Sequence, residues 1–272
     1  MSKIIKEYMF GSIIAEKVRV DKQKAGLRFG LWRNQETKLE RIETACMIFL
    51  FHAHTFGKEN NRRYVMAVDF KTSETKDNLM RAFAGESQAR NRYTFAADQA
   101  KQQKFHVIEA VFTFTANQEK EHAEIFYNHL SELAGETIHV DGGYPVDITD
   151  SITELLRMAQ HNEYEEHDDV YRAFADKARE EGFLAVASSF EQIAKIEKIH
   201  GNRFGALADL LEKNQLFISD VKTGWFCLNC GHVFEGTQAP EHCPVCSHDR
   251  GYFVRLELAP YTGNCCVEGV LG

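Results

Sequence analysis

The chain has 272 residues, is 44% hydrophobic and 26% charged, and carries a formal net charge of −8. That is an ordinary globular composition, which excludes a disordered chain and leaves length for one or two domains. The longest apolar run, Ala45–Phe51, falls far short of the roughly 20 residues a membrane span needs, and no apolar stretch follows the basic start, so the sequence predicts a soluble, cytoplasmic protein without a membrane partner.

Residues 1–65 hold 13 basic and 7 acidic side chains, whereas residues 66–272 hold 19 and 33. The acidic part repels phosphate, so nucleic acid is not an expected partner. The basic segment has no metal motif, although Leu39–Phe51 has the makings of a short helix. Two readings of it stand side by side. It is a real extension docking on the acidic remainder, or translation begins at Met66, since Arg62-Arg63 encoded as AGGAGG would form a ribosome-recruiting sequence just upstream. Either way it is expected to contribute nothing to catalysis.

From Ser73 to about Ala134 the pattern predicts two helices, and from Asp150 to about Leu211 two more. Thr72-Ser73-Glu74 and Asp150-Ser151 supply N-cap residues, and acids occupy the first turns. The Gly-containing stretch 135–149 between the pairs has turn chemistry and, at 15 residues, spans up to about 50 Å when extended. It can cross a whole bundle of about 45 Å helices, which gives an all-α four-helix bundle with one long crossover.

The two hairpins repeat each other. Asp98–Phe105 matches Asp176–Phe183 at an offset of 78, which also carries Tyr93 onto Tyr171, Glu119 onto Glu197 and His122 onto His200. Earlier in the repeat the offset is 77, carrying Leu79 onto Leu156 and Glu86 onto Glu163. One extra residue therefore falls between Glu163 and Tyr171, and inside a helix a π-bulge absorbs it.

Glu119-Lys-Glu-His122 and Glu197-Lys-Ile-His200 are E-x-x-H motifs, which on a helix place Glu and His one turn apart on one face. Glu86 and Glu163 each stand one helix earlier. A lone Glu on each of two helices and E-x-x-H on the other two is the ligand set of di-iron carboxylate bundles. Four carboxylates neutralise two ferrous ions, and without metal their burial is costly. Glu166, three residues after Glu163, shares its face. As a surplus carboxylate it suggests that one iron exchanges ligands with oxidation state, oxygen suiting ferric and imidazole ferrous iron. Glu136-Thr-Ile-His139 is a decoy in the non-helical connection. Glu121, Glu124, Glu165, Glu180, Glu181, His106, His129, His161 and His167 read as solvated helix residues.

Seven cysteines are too few for a disulfide scaffold of this length. Cys227-x-x-Cys230 and Cys243-x-x-Cys246, twelve residues apart, form a knuckle for one tetrahedral metal. Iron and zinc both fit; attachment to a redox bundle that needs single electrons favours iron. Trp225, Phe226 and Phe253 are its expected core. Cys46, Cys265 and Cys266 stand outside this pattern.

Phe83–Tyr93, Gln118–Glu124, Ala178–Gly182, Cys230–Gly236 and Ala239–Cys246 together resemble rubrerythrin, a ferritin-like di-iron bundle followed by a rubredoxin-like domain, over about Met66 to Leu258. The resemblance implies a cytoplasmic peroxidase that reduces hydrogen peroxide with electrons from NAD(P)H, passed through redox partners such as rubredoxin or an NAD(P)H-dependent reductase. It also implies a head-to-tail homodimer. By motif position Glu86, Glu119, Glu197 and Glu166 resemble the ligands of one iron, His122 replacing Glu166 on reduction, while Glu163 and His200 are terminal on the other and Glu119 and Glu197 bridge. Tyr93 and Tyr171 match the tyrosines beside that site. The expected organisation is an extension at 1–65, the bundle at 66–213, a linker at 214–223, the rubredoxin-like domain at 224–260 and a tail at 261–272. A ferroxidase that stores iron is the competing enzyme reading, though it leaves the redox knuckle without a use; a zinc-stabilised binding module leaves the bundle ligands unexplained.

Overall fold

Ser73 and Ser151 start the helices that the sequence predicts. In the computed structural model, which describes residues 68–260, the Ser73 side chain accepts from the Lys76 amide and that of Ser151 from the Glu154 amide. The expectations placed on residues 1–67 and 261–272, including the helix at 39–51, a start at Met66, and Cys46, Cys265 and Cys266, lie outside the described residues.

The first hairpin is α1 (Glu74–Gln102) and α2 (His106–His129). The second is α3 (Ile152–Glu165), a π-helical segment (Glu166–Val170), α4 (Tyr171–Glu180) and α5 (Leu184–Glu212). The shift in repeat offset between Glu163 and Tyr171 is thus taken up by the π-bulge that it required. Both hairpins turn the same way: Lys104 and Gly182, matched in the repeat, adopt φ 63° and 93°, and the amides of Phe105 and Phe183 bond the carbonyls of Ala100 and Ala178. Among the described residues no helix is long and apolar enough to cross a membrane.

The repeat also exchanges two apolar cores. One contains Tyr93, Ala97, Phe112, Leu156 and Phe204. The other contains their counterparts Tyr171, Ala175, Phe190, Leu79 and Phe126. Each is knit by an aromatic triad: Tyr93, Phe112 and Phe204 lie 5.0–5.9 Å apart by ring centre, and Tyr171, Phe126 and Phe190 lie 4.8–5.8 Å apart. Between the two cores lies a layer of buried Glu86, Glu119, His122, Glu163, Glu197 and His200.

After α5, the strands β1 (Ile218–Cys227), β2 (Val233–Gln238) and β3 (Phe253–Arg255) form an antiparallel sheet in the order β2-β1-β3. The segment 214–223, expected as an extended linker, is largely ordered into the fold. Leu216 is buried against the first core, Phe217 stacks on Phe105, and Arg255 donates to the carbonyls of Gln215 and Ile218. Trp225 and Phe253 fill the small core as expected, whereas Phe226, one residue out of phase on β1, faces the other side. The sheet domain seats on the α1–α2 turn. A Cβ added to Gly251 would lie 1.8 Å from the Lys104 carbonyl oxygen, so only glycine permits that approach, and the rings of His106 and Tyr252 stack at 4.0 Å.

Candidate metal centres

Helix periodicity aims Glu86 from α1, Glu119 and His122 from α2, Glu163 from α3, and Glu197 and His200 from α5 into the layer between the cores. Two groups of ligand atoms form there, each within 4.8 Å: Glu86, Glu119, His122 and Glu197, and Glu119, Glu163, Glu197 and His200. Glu119 and Glu197 belong to both, which is the geometry of two bridging carboxylates.

The polar atoms are left open toward one another. Glu86 Oε2, Glu119 Oε1, Glu163 Oε2, both oxygens of Glu197 and both ring nitrogens of His200 are buried without a hydrogen bond, a heavy penalty unless something else satisfies them. His200 Nδ1 lies 3.0 Å from Glu119 Oε1 and 2.9 Å from Glu197 Oε2, near enough for ion pairing but not aligned to bond. His122 Nδ1 lies 3.1 Å from Glu119 Oε2 and 2.9 Å from Glu197 Oε1, and the two rings stack at 5.6 Å.

Charge in this layer is strained accordingly. Burial, followed by repulsion from Glu197, Glu166 and Glu119, pushes the Glu86 carboxyl well up, and burial with Glu119 does the same to Glu163. Burial opposes a charged His122 and His200, yet the surrounding carboxylates outweigh it and raise them to about 9 and about 12. Burial likewise opposes an ionised Glu197, but His122 and His200 hold it at about 2. The protein alone thus uses imidazolium as counterion, a role that two divalent cations fill better because they also free the histidines to act as neutral ligands.

Tyr93 donates to Glu163 and Tyr171 to Glu86, one pair in each half. Burial first, then the facing carboxylate, raises both phenols well above their ordinary value. Glu166 is not brought into either group. It stays half-buried on the π segment and lines a separate cavity, and His122 occupies the first group instead. The decoy resolves as expected, with Glu136 paired to Lys71 at 2.7 Å and His139 exposed.

Four of the side chains read as solvated have structural work that sequence spacing does not reveal. The Glu181 carboxylate accepts from the amides of Glu74 and Thr75 and so caps α1 from the opposite hairpin. His106 stacks under the sheet domain, His129 bonds Ser189, and His167 bonds the Ala194 carbonyl.

In the knuckle the four cysteine sulfurs lie within 4.8 Å of one another, with Cys227–Cys246 at 3.8 Å and Cys230–Cys243 at 3.6 Å. A tetrahedron with bonds of about 2.3 Å has edges of about 3.8 Å, so the sulfurs stand at metal-ligand spacing. The His248 amide is the main cause holding the Cys246 thiol at about 6, while burial pushes Cys227 up to about 12.

Fold and sites together define a di-metal carboxylate bundle joined to a four-thiolate metal knuckle. Comparison with known proteins agrees: the rubrerythrin family model matches residues 77–208, and that of the rubrerythrin rubredoxin-like domain matches residues 225–254. Rubrerythrin of Clostridium perfringens is 44% identical over 185 residues, covering 67% of this chain and 94% of the relative. Rubrerythrin-1 of Clostridium acetobutylicum shows the same identity and coverage, and rubrerythrin of Porphyromonas gingivalis is 44% identical over 188 residues, covering 69% and 92%. The chain belongs to the rubrerythrin family, and its buried layer and its knuckle are the di-iron and rubredoxin-like metal sites.

Proposed function

We propose that the chain is a non-haem di-iron peroxidase that reduces hydrogen peroxide to two waters, taking up two electrons and two protons, with electrons relayed through iron at Cys227, Cys230, Cys243 and Cys246. The observation that carries this reading is the pair of ligand groups sharing Glu119 and Glu197 in a buried layer. Glu86 and His122 would be terminal ligands at one position and Glu163 and His200 at the other, and Glu166 would take the place of His122 in the oxidised site. Two ferrous ions held there supply one electron each and the Lewis acidity that weakens an O–O bond.

The chain's own side chains do the rest. Glu119 and Glu197 hold the two positions at one spacing, and the flanking half-cores exclude bulk water. Tyr93 and Tyr171 keep their phenolic protons at neutral pH because burial raises both. They hold Glu163 and Glu86 in place and would be available as proton donors at the metal layer.

A four-thiolate iron passes electrons singly, which suits supply from a rubredoxin or an NAD(P)H-dependent reductase. His106, where the sheet domain docks, precedes Glu119 by 13 residues, about 20 Å along α2. That separation supports a homodimer in which the knuckle of a second copy serves these irons. Four cysteines set at metal-ligand spacing fit a reducing cytoplasm, where thiols stay free to bind metal. The functional boundaries remain the bundle at 66–213 and the knuckle domain at 224–260.

The test is peroxide consumption by iron-loaded protein supplied with a one-electron donor. Glu119→Ala or Glu197→Ala should abolish turnover and drop the iron bound by the bundle from two to one or none, because each bridge touches both metals. Retention of both irons would overturn the assignment. Uptake of many irons per chain without peroxide loss would favour the ferroxidase reading.

A further inference from the structure

The crossover between α2 and α3 roofs a cavity of about 200 Å³ whose walls include Glu166, Tyr171 and Gly85, the residue before Glu86. The strap is fastened on both sides. Arg81 donates to the Asp141 side chain at 3.0 Å and to its carbonyl at 3.1 Å. Six residues on, Asp147 is held by Arg92 and, at 2.9 Å, by Asn162. Between these fastenings Tyr144 lays its ring over α1, its hydroxyl donating to the Arg81 carbonyl at 3.2 Å. A Cβ on Gly85 would sit 3.8 Å from the ring, and one on Gly142 would sit 2.8 Å from its hydroxyl, so the ring occupies space that the side chain of Gly142 would need.

We propose that this cavity is the passage by which peroxide reaches the metal layer and that Tyr144 limits the peroxide to a small one. The inference rests on the peroxidase reading and deepens it. The cavity is bounded at its inner end by Glu166, the carboxylate that leaves the metals when His122 is in place, and by Tyr171, which bonds the ligand Glu86. A larger apolar cavity of about 590 Å³, between α2, α5 and the sheet domain, borders none of the candidate ligands. A water takes about 30 Å³ of liquid, so the passage accommodates hydrogen peroxide easily and crowds a hydroperoxide that carries an aromatic ring.

Tyr144 is partly exposed and its replacement leaves the cores untouched. With iron-loaded protein, Tyr144→Ala should raise turnover of cumene hydroperoxide relative to hydrogen peroxide by roughly tenfold, whereas Tyr144→Phe, which keeps the ring, should match the wild type. A second readout is independent of turnover. Bipyridyl, a flat bulky chelator, should strip ferrous iron several-fold faster from Tyr144→Ala and at the wild-type rate from Tyr144→Phe. An unchanged peroxide ratio or an unchanged stripping rate in Tyr144→Ala overturns the proposal. If the loaded wild type consumes no hydrogen peroxide, the peroxidase reading falls, and the stripping rates alone decide whether this passage leads to the metals.

Discussion

The first and second hairpins of the bundle are copies that differ in one consequential place. Tyr93–Glu163 mirrors Tyr171–Glu86, the aromatic triads mirror each other, and much of each half-core is exchanged with the other by the repeat. Against that background the second hairpin carries an extra residue in its π segment and Glu166 where the first hairpin has Ala89, buried in the core. The duplicated parts offer two equivalent ligand groups, and the insertion makes the halves unequal, since the second alone carries a further carboxylate, Glu166, on its π segment. On the proposed reading, the duplicated residues hold the metals and Glu166 lets one of them change its ligands.

Removing the inequality should have the largest effect. Deleting the exposed Asp168 restores an unbroken α-helix in which Glu163 and Tyr171 stand seven residues apart, as Glu86 and Tyr93 do, so both still face the layer while the bulge that carries Glu166 is lost. Iron content should stay at two while peroxide turnover falls by roughly 10–100-fold, because Glu166 no longer stands where the bulge holds it; wild-type turnover would break the comparison. A smaller effect separates the two histidines. His200→Ala should lose iron in both oxidation states, whereas His122→Ala should keep two irons when oxidised, with Glu166 as ligand, and lose speed with peroxide. Equal iron content in the two variants across both states would show the positions to be equivalent after all.

The tyrosines test the symmetry itself. Tyr93→Phe and Tyr171→Phe each leave a buried carboxylate short of a donor, at about 1–3 kcal/mol, and the two losses should agree within about 0.5 kcal/mol when measured on the same metal-loaded protein. The smallest effect lies at the hairpin turns. Lys104 adopts the left-handed conformation for which the second copy uses Gly182, so Lys104→Gly should stabilise by up to about 1 kcal/mol, the relief of the strained backbone being offset in part by the freedom glycine adds to the unfolded chain. Thermal melting measures it, and a lower melting temperature would show that the lysine side chain has a role at the turn.

Much of the site was legible because helix periodicity and duplication are both written in sequence. Ser73 and Ser151 marked the starts, the offsets of 77 and 78 located the bulge, and E-x-x-H spacing paired each Glu with its His. What escaped is what depends on neighbours from other elements. Glu181 carries no local sign that it will cap α1, and His106 none that Tyr252 will stack on it. Phe226 follows a buried Trp225, and only the alternation of a strand shows that it must face away. Glu166 shares the helical face of Glu163, but which of Glu166 and His122 approaches the metal is a choice between side-chain arrangements, and periodicity fixes faces without fixing that choice.

The placement of six ionisable side chains between two apolar clusters also has a consequence for cooperativity. The clusters bury their own surfaces well, but across the layer that joins them the stripped protein offers crowded carboxylates and unsatisfied atoms instead of packing. Metal is then a folding ligand as well as a reagent, adding about 4 kcal/mol when free metal stands a thousandfold above its dissociation constant. The loaded bundle is expected to unfold as one unit, whereas the stripped one should show its two ends melting apart in calorimetry, so that a single melting temperature ceases to describe it.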